Sequence, residues 1–410
     1  MKILRFTCVL LAAVSLFSCG GGKTDILKRE DLFTLRLGKM EDHLSFFMLD
    51  NHYTGGTIDF VMKDGLIYIS NQDGGKVMKF NSYGDIISLV YNEEKNPVPI
   101  VLKRVSGDTV TNRLAFPYPF VSPGNIAVGS NKMLLVQDGV PKERRIQDEA
   151  GQSVFDQVIL RFDTNGRLKD YLGQEGVGGT PFPFIERIQV NDMDEIIVFT
   201  RTLSSWIVFW FNEGGQLLYT IRMEGSALPL PEKGEKLIPS LEAMYADSSE
   251  RKIYMKIDYY ADAMDPSSKY RYGIQFHKSA IFIFDIQKEG YTDSFEIPDT
   301  YKKPEGLSIL DDKKEKSITE FLGAASGGYL FLLSPLGVSQ YQLMILDRKG
   351  KVEDSAVLQI KDDEQIFRKF YLDSSGILSA LLCEETGAKL VWWRTDELIS
   401  IAKDRKKAED

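Results

Sequence analysis

Cysteine and histidine are nearly absent from this chain, with three of each in 410 residues. Cys8, Cys19 and Cys383 lie far apart, and His43, His52 and His277 show no ligand-like spacing. That excludes a disulfide framework and any Cys/His zinc pattern. There is no G-x-S-x-G elbow, H-E-x-x-H pair, phosphate loop or C-x-x-C motif, so the common nucleophilic, metalloprotease, nucleotide and redox chemistries have no local signature. No apolar run reaches the roughly 20 residues that span a bilayer as a helix. Positive charge is also in deficit: 59 acids against 50 bases leave a net charge of −9. An acidic body repels nucleic acid, which removes a general nucleic-acid role and points to no cofactor.

What is present begins at the amino terminus. Lys2 and Arg5 precede an apolar stretch from Phe6 to Phe17, and Leu16-Phe17-Ser18-Cys19 leads into Gly20-Gly21-Gly22. A basic start, an apolar run and small residues at the cut describe a secretory signal over residues 1–18. An ordinary signal peptidase site with an incidental cysteine would fit the first two features. The Leu16…Cys19 arrangement as a whole resembles the bacterial lipoprotein box. That resemblance implies cleavage before Cys19, lipid on its thiol and a membrane-lipid partner outside the cytoplasm. Gly20 where Asp would retain the protein at the inner membrane implies sorting to the outer one. Each buried methylene is worth about 0.8 kcal/mol and stable anchoring takes two chains or more. Loss of Lys2 and Arg5 with the signal moves the net charge from −9 to −11. Cys383, alternating with Ile377, Ser379 and Leu381 along one apolar strand, reads as a buried inert thiol.

Beyond a tether over residues 19–30, strand patterns dominate and repeat. Apolar runs end in polar turns with glycine, as in Val77-Met78-Lys79-Phe80-Asn81-Ser82-Tyr83-Gly84 and Ile159-Leu160-Arg161-Phe162-Asp163-Thr164-Asn165-Gly166. The same scheme recurs at Trp206–Gly215, Ala280–Gly290, Leu343–Gly350 and, degenerately, Leu390–Asp396. Two further strand-like runs precede several copies, giving four-stranded antiparallel units repeated six times. The fold class is therefore all-β, a six-bladed β-propeller over residues 31–401 with a polar tail at 402–410. Repeat spacing varies from about 45 to about 80 residues, against ~40–50 in regular propeller repeats. The excess falls in insertions at Asn92–Pro123, Gly225–Ser240, Ala261–Lys278 and Asp299–Ser317. The sixth copy stops after three strands, and Asp31–Leu37 is an orphan strand with alternating character. Pairing the two would close the ring and remove an exposed sheet edge; a separate amino-terminal hairpin is the other arrangement. At Phe80-Asn81-Ser82-Tyr83-Gly84 and Phe162-Asp163-Thr164-Asn165-Gly166 the turns resemble the NHL-type propeller repeat. Together with the lipid box, the chain resembles propeller lipoproteins of spirochaetes, a group that implies a fold and an address more than a chemistry.

The unusual residues sit in or beside the insertions. Phe116-Pro117-Tyr118-Pro119-Phe120 and Pro181-Phe182-Pro183-Phe184 form stiff extended stretches, which lose little entropy on binding. Phe116, Tyr118, Phe120, Phe182 and Phe184 are thus candidates for a protein or peptide partner, unless the prolines merely end strands while the rings fill blade junctions. Tyr270 and Tyr272 flank Arg271 in a long loop, a composition common at interfaces. Asn191-Asp192-Met193-Asp194-Glu195 crowds acids without the full calcium-loop pattern and reads as a hairpin turn. The function expected from all this is an envelope-anchored propeller acting as a binding or assembly module. A hydrolase or lactonase-like enzyme with a carboxylate-held divalent metal in the channel is the second expectation.

Overall fold

The computed structural model describes residues 26–409 apart from 51, 105–113, 148–153, 233–235, 266, 268–269 and 303–314. Cys19, the signal and most of the tether lie outside the described residues, as do parts of all four insertions. No helix among the described residues is long and apolar enough to cross a membrane.

The repeating turn is where sequence dictates structure most directly. The Asn81 side-chain oxygen accepts the backbone N–H groups of Tyr83 at 3.0 Å and Asp85 at 2.9 Å. Asp163 does the same for Asn165 and Arg167, and Asp347 for Lys349 and Lys351. Asn and Asp make such local bonds because their short side chains reach backbone two to four residues on. Each turn then needs a left-handed residue, supplied by Gly84 (φ +85°), Gly166 (φ +82°) and Gly350 (φ +80°). A register shift follows in the third strand of each unit, between Lys79 and Phe80, Arg161 and Phe162, or Ile345 and Leu346. Turn and bulge together raise local twist, as a propeller blade requires.

Six antiparallel sheets are arranged around one axis as a six-bladed β-propeller. The innermost strands, in chain order, are Ile58–Lys63, Ile126–Val128, Phe184–Val190, Ile238–Ala246, Glu320–Ala325 and Phe367–Leu372. The last of these lies against the first, so the ring is complete. Apolar positions of neighbouring blades interleave to form the core; Phe60, Ile67 and Met78 of blade one join Leu381, Leu390 and Cys383 of blade six. Burial pushes the Cys383 thiol up, consistent with an inert side chain.

Closure occurs where the orphan strand was expected. Arg29–Leu35 pairs antiparallel with Gly387–Trp393, giving blade six its fourth strand. The strand begins two residues earlier and ends two residues earlier than the alternating pattern suggests. A lock fastens it: buried Glu364, in the link between blades five and six, accepts from Arg29 Nη1 at 2.6 Å and from Lys389 Nζ at 3.1 Å. Burial alone would raise the Glu364 carboxyl, but hydrogen bonds from Arg29 and Lys389 and the charge of Arg29 outweigh it and hold it down at about 2. Ahead of the strand, Ile26 bridges to Val357 on the outer strand of blade five, so the described chain enters at the rim between blades five and six.

The segment read as a polar tail is the second half of a helix, Thr395–Glu409. Thr395 Oγ1 donates to the Gly376 carbonyl and accepts from Leu378 N–H, and Ile399 and Ala402 pack inward. Its inward apolar residues, Leu398, Ile399 and Ala402, all fall by its midpoint, which is why the second half reads as tail.

Removing Glu364 from the closing lock leaves Arg29 and Lys389 without their shared partner. Because the cations left behind, Arg29 and Lys389, are partly exposed, Glu364→Ala is expected to lower unfolding stability by about 1–3 kcal/mol in urea at pH 7. Because the folded carboxyl titrates below its ordinary value of 4.5, its contribution is intact above that pH and lost as pH falls toward about 2. Glu364→Gln should lack that segment of the acid-stability profile; an unchanged profile would show that the lock carries no linkage.

Candidate functional site

Alternation of hairpins puts the Asn/Asp–Gly turns at one end of the barrel, together with the helix Thr395–Glu409, and the remaining hairpins and the links between blades at the other. That second end collects the described parts of the links 92–125, 174–183, 225–237, 297–319 and 360–366. It also carries the long hairpin of blade four, whose strands Lys252–Met264 and Arg271–Asp285 run well past the length of the other blades. The insertion Ala261–Lys278 is thus largely paired strand, with Ala261 opposite Gln275.

Three consecutive innermost strands carry a bulge at the same height, between Ile185 and Arg187, Leu241 and Ala243, and Phe321 and Gly323. A bulge leaves one residue unpaired and re-aims its neighbours. Glu186 and Glu242 are the polar residues so released. Just inside, the axial channel is lined by Asp59, Arg187, Gln189, Tyr245, Lys369 and Tyr371 among others. Asp59 accepts from Lys369 Nζ at 3.2 Å and from the Ile126 N–H at 3.0 Å, joining blades six, one and two. Gln189 accepts the Ala246 N–H at 2.8 Å, joining blades three and four.

A cleft of about 400 Å³ opens at the insertion end between blades three, four, five and six. Arg187 and Tyr245 line both channel and cleft and so form the partition between them. The Arg187 guanidinium sits 3.8 Å over the Tyr245 ring, and Phe321 packs edge-on to that ring at 4.9 Å. Burial pushes the Tyr245 phenol up, with Arg187 pulling the other way, so it stands as a neutral donor. Across the cleft, Arg368 approaches Glu320 at 4.0 Å, lies over the Tyr341 ring at 4.8 Å and donates to the Tyr341 hydroxyl.

The deepest polar feature is Lys256–Asp258, two opposite charges on one face of blade four's second strand. Their side chains are 2% and 1% exposed and lie 2.5 Å apart. Ser279 also donates to Asp258 Oδ1, at 2.5 Å. Asp258 Oδ2 is buried without a partner. In sequence the signal was Ile253-Tyr254-Met255-Lys256-Ile257-Asp258-Tyr259, where two charges occupy alternate positions of an apolar strand. Arg187, Glu242 and Arg368 gave no comparable signal.

The expected binding aromatics divide. Phe116, Phe120 and Phe182 are core residues and present no ring to a partner. Phe116 lies in Leu114–Pro117, an extra strand parallel to blade one's outer strand, not at the entry to blade two's first strand. Phe120 packs with Tyr118 and Phe162, their centroids 4.9 and 6.0 Å away, and Phe182 meets Phe209 edge-on at 5.1 Å. These rings plug blade junctions because an apolar ring beside proline gains more from burial than from a dry ridge in water. Tyr118 is half-buried in the same cluster. Phe184, Tyr270 and Tyr272 are 50%, 73% and 69% exposed and all lie at the insertion end. The acidic stretch Asn191–Glu195 is a turn in which Asn191 accepts from Met193 and Glu195 N–H, while Glu195 holds Arg251 and Trp210. Among the described residues no three His, Cys, Asp or Glu side chains gather to hold a metal ion.

No family model and no curated protein matches the chain. Several solved structures are similar in fold. The β-propeller domain of Nup133 from Vanderwaltozyma polyspora is 9% identical with a TM-score of 0.39, covering 87% of this chain and 97% of that one. A gluconolactonase from Xanthomonas campestris is 12% identical with a TM-score of 0.39, covering 91% and 97%. The α-L-arabinofuranosidase arb93a from Fusarium graminearum is 8% identical with a TM-score of 0.44, covering 90% and 99%. Identities this low concern fold alone and carry no chemistry to this chain.

The division of the aromatics has a direct test. Phe182→Ala should cost about 3–5 kcal/mol in chemical denaturation, and Phe184→Ala less than about 1 kcal/mol. Equal costs would mean that Phe184 is as much a core ring as Phe182.

Proposed function

We propose that this chain is an envelope lipoprotein whose propeller serves as a binding or assembly module, meeting its partner at the insertion end. The observation that supports the reading is the gathering of the described parts of the long links, the blade-four hairpin, exposed Phe184, Tyr270 and Tyr272, and a charged cleft on one end of the barrel. Among the described residues the opposite end has short turns and the terminal helix Thr395–Glu409. Tyrosines beside Arg271 suit a protein or peptide partner, since Tyr and Arg contribute large contact area with polar tips. Lipid on Cys19 would hold the module outside the cytoplasm, at the outer membrane by the Gly20 criterion, through a short tether reaching the rim between blades five and six. Carboxylates near the axis favour recognition over metal hydrolysis: Asp59, Glu320 and Asp258 each have a cation of the chain beside them.

Two measurements test this. Expressed in a bacterial host fed labelled palmitate, the wild-type chain should carry label and sediment with membranes, while Cys19→Ala should lose the label and appear in the soluble fraction. Persistence of Cys19→Ala in the membrane pellet would refute the anchor. Photo-crosslinkers at Tyr272 should capture a discrete partner in intact cells, and at Tyr83 on the turn end they should not; equal capture would refute the choice of end.

A further inference from the structure

We infer that the cleft between blades three to six is a saccharide-binding site, built around Asp258 and distinct from the surface that would meet a macromolecular partner. It rests on the foregoing reading only in placing recognition at the insertion end. The chemistry begins with Asp258. Its side chain is 1% exposed, and Oδ1 is fully engaged by Lys256 and Ser279. Oδ2 has no partner, although a buried carboxylate oxygen left unbonded is costly. Asp258 lines the cleft, so a donor arriving there would satisfy an acceptor that the fold leaves open.

Charge decides what kind of donor. Glu242, Asp258 and Glu320 face Arg187, Lys256 and Arg368, three acids against three bases. With no net charge, the cleft offers little to a multiply charged ligand, whose desolvation would go uncompensated. Lys256 already neutralises Asp258, so an ammonium or metal ion gains less there than beside an isolated carboxylate. A neutral hydroxyl gains most: it donates to Oδ2, and its own oxygen accepts from a neighbouring cation. A sugar ring offers such hydroxyls in adjacent pairs. Paired acceptors and donors are what this cleft presents; the Thr319 and Tyr341 hydroxyls on its wall are already engaged, by Ser334 and by Arg368 and Gln365, and serve to hold that wall. A volume of about 400 Å³ falls in the range of small-molecule sites.

The test is saturation-transfer NMR and calorimetry on the purified full chain, held in a detergent without a sugar head group. The probes are glucose, galactose, xylose, cellobiose and xylobiose, with spermidine, glutamate and calcium as charged rivals. At least one sugar should bind at millimolar concentration or tighter, and Asp258→Asn should weaken it at least tenfold. Glu242→Gln, at an exposed residue that folding does not require, should weaken it at least threefold. Tyr272→Ala should leave sugar affinity unchanged. Absence of binding by every sugar, preference for a charged rival, or affinity that survives Glu242→Gln and Asp258→Asn overturns the inference. None of these results bears on crosslinking at Tyr272, so the site and the partner surface fail separately.

Discussion

Strand Arg29–Leu35 is separated from its partner Gly387–Trp393 by nearly the whole chain, and the ring cannot close until the two meet. Such a contact forms late, since loop-closure entropy must be overcome before the pairing contributes. Backbone ladder bonds alone would leave the strand a weakly held edge. Glu364 changes this by drawing Arg29 from the incoming strand and Lys389 from the receiving one onto a single buried carboxylate in the link from blade five. Three segments distant in sequence are thereby fixed at one point.

The same seam is fastened a second time at the axis. Lys369 of blade six reaches Asp59 of blade one, and Asp59 in turn holds the Ile126 backbone of blade two. Rim and axis therefore share one requirement: blade six must be complete for its inner strand to sit correctly. That strand also supplies Arg368, which faces Glu320 and Tyr341 across the cleft. Loss of closure would reach the cleft through Arg368, before any residue of blades three to five moved.

What the sequence made legible follows from how local each determinant is. Asn81, Asp163 and Asp347 cap their own turns within four residues, so the repeat and the blade count can be read directly. The missing fourth strand of blade six pointed to Asp31–Leu37, paired in the structure as Arg29–Leu35, because an unpaired edge has to be satisfied. The cleft resisted reading because Arg187, Glu242, Asp258 and Arg368 come from different strands and are brought together by ring geometry. Phe116 and Phe182 misled for the converse reason: an aromatic beside proline looks alike in sequence whether it faces water or a blade junction. Only the neighbouring rings, Phe162 near one cluster and Phe209 against the other, decide it.

Polar groups inside this propeller are nearly all arranged to satisfy one another between blades, as with Gln189 and Ala246 or Asn125 and Ile185. Against that background the unbonded Asp258 Oδ2 is one of a few exceptions among the described residues, with Tyr68, Thr300 and Trp393, and Asp258 is the charged one at the cleft wall. A purely structural ion pair would be served equally well by enclosure on both sides, because the buried pair contributes most when every lone pair is bonded. Here blade four carries the pair on its second strand while its inner strand bulges at Glu242, and both Glu242 and Asp258 line the cleft. The bulge recurs in blades three and five, so the space is produced by three blades together. A cavity made cooperatively and edged by balanced charge is better explained by an occupant than by packing, and the closing lock at the rim is what keeps its fourth wall in place.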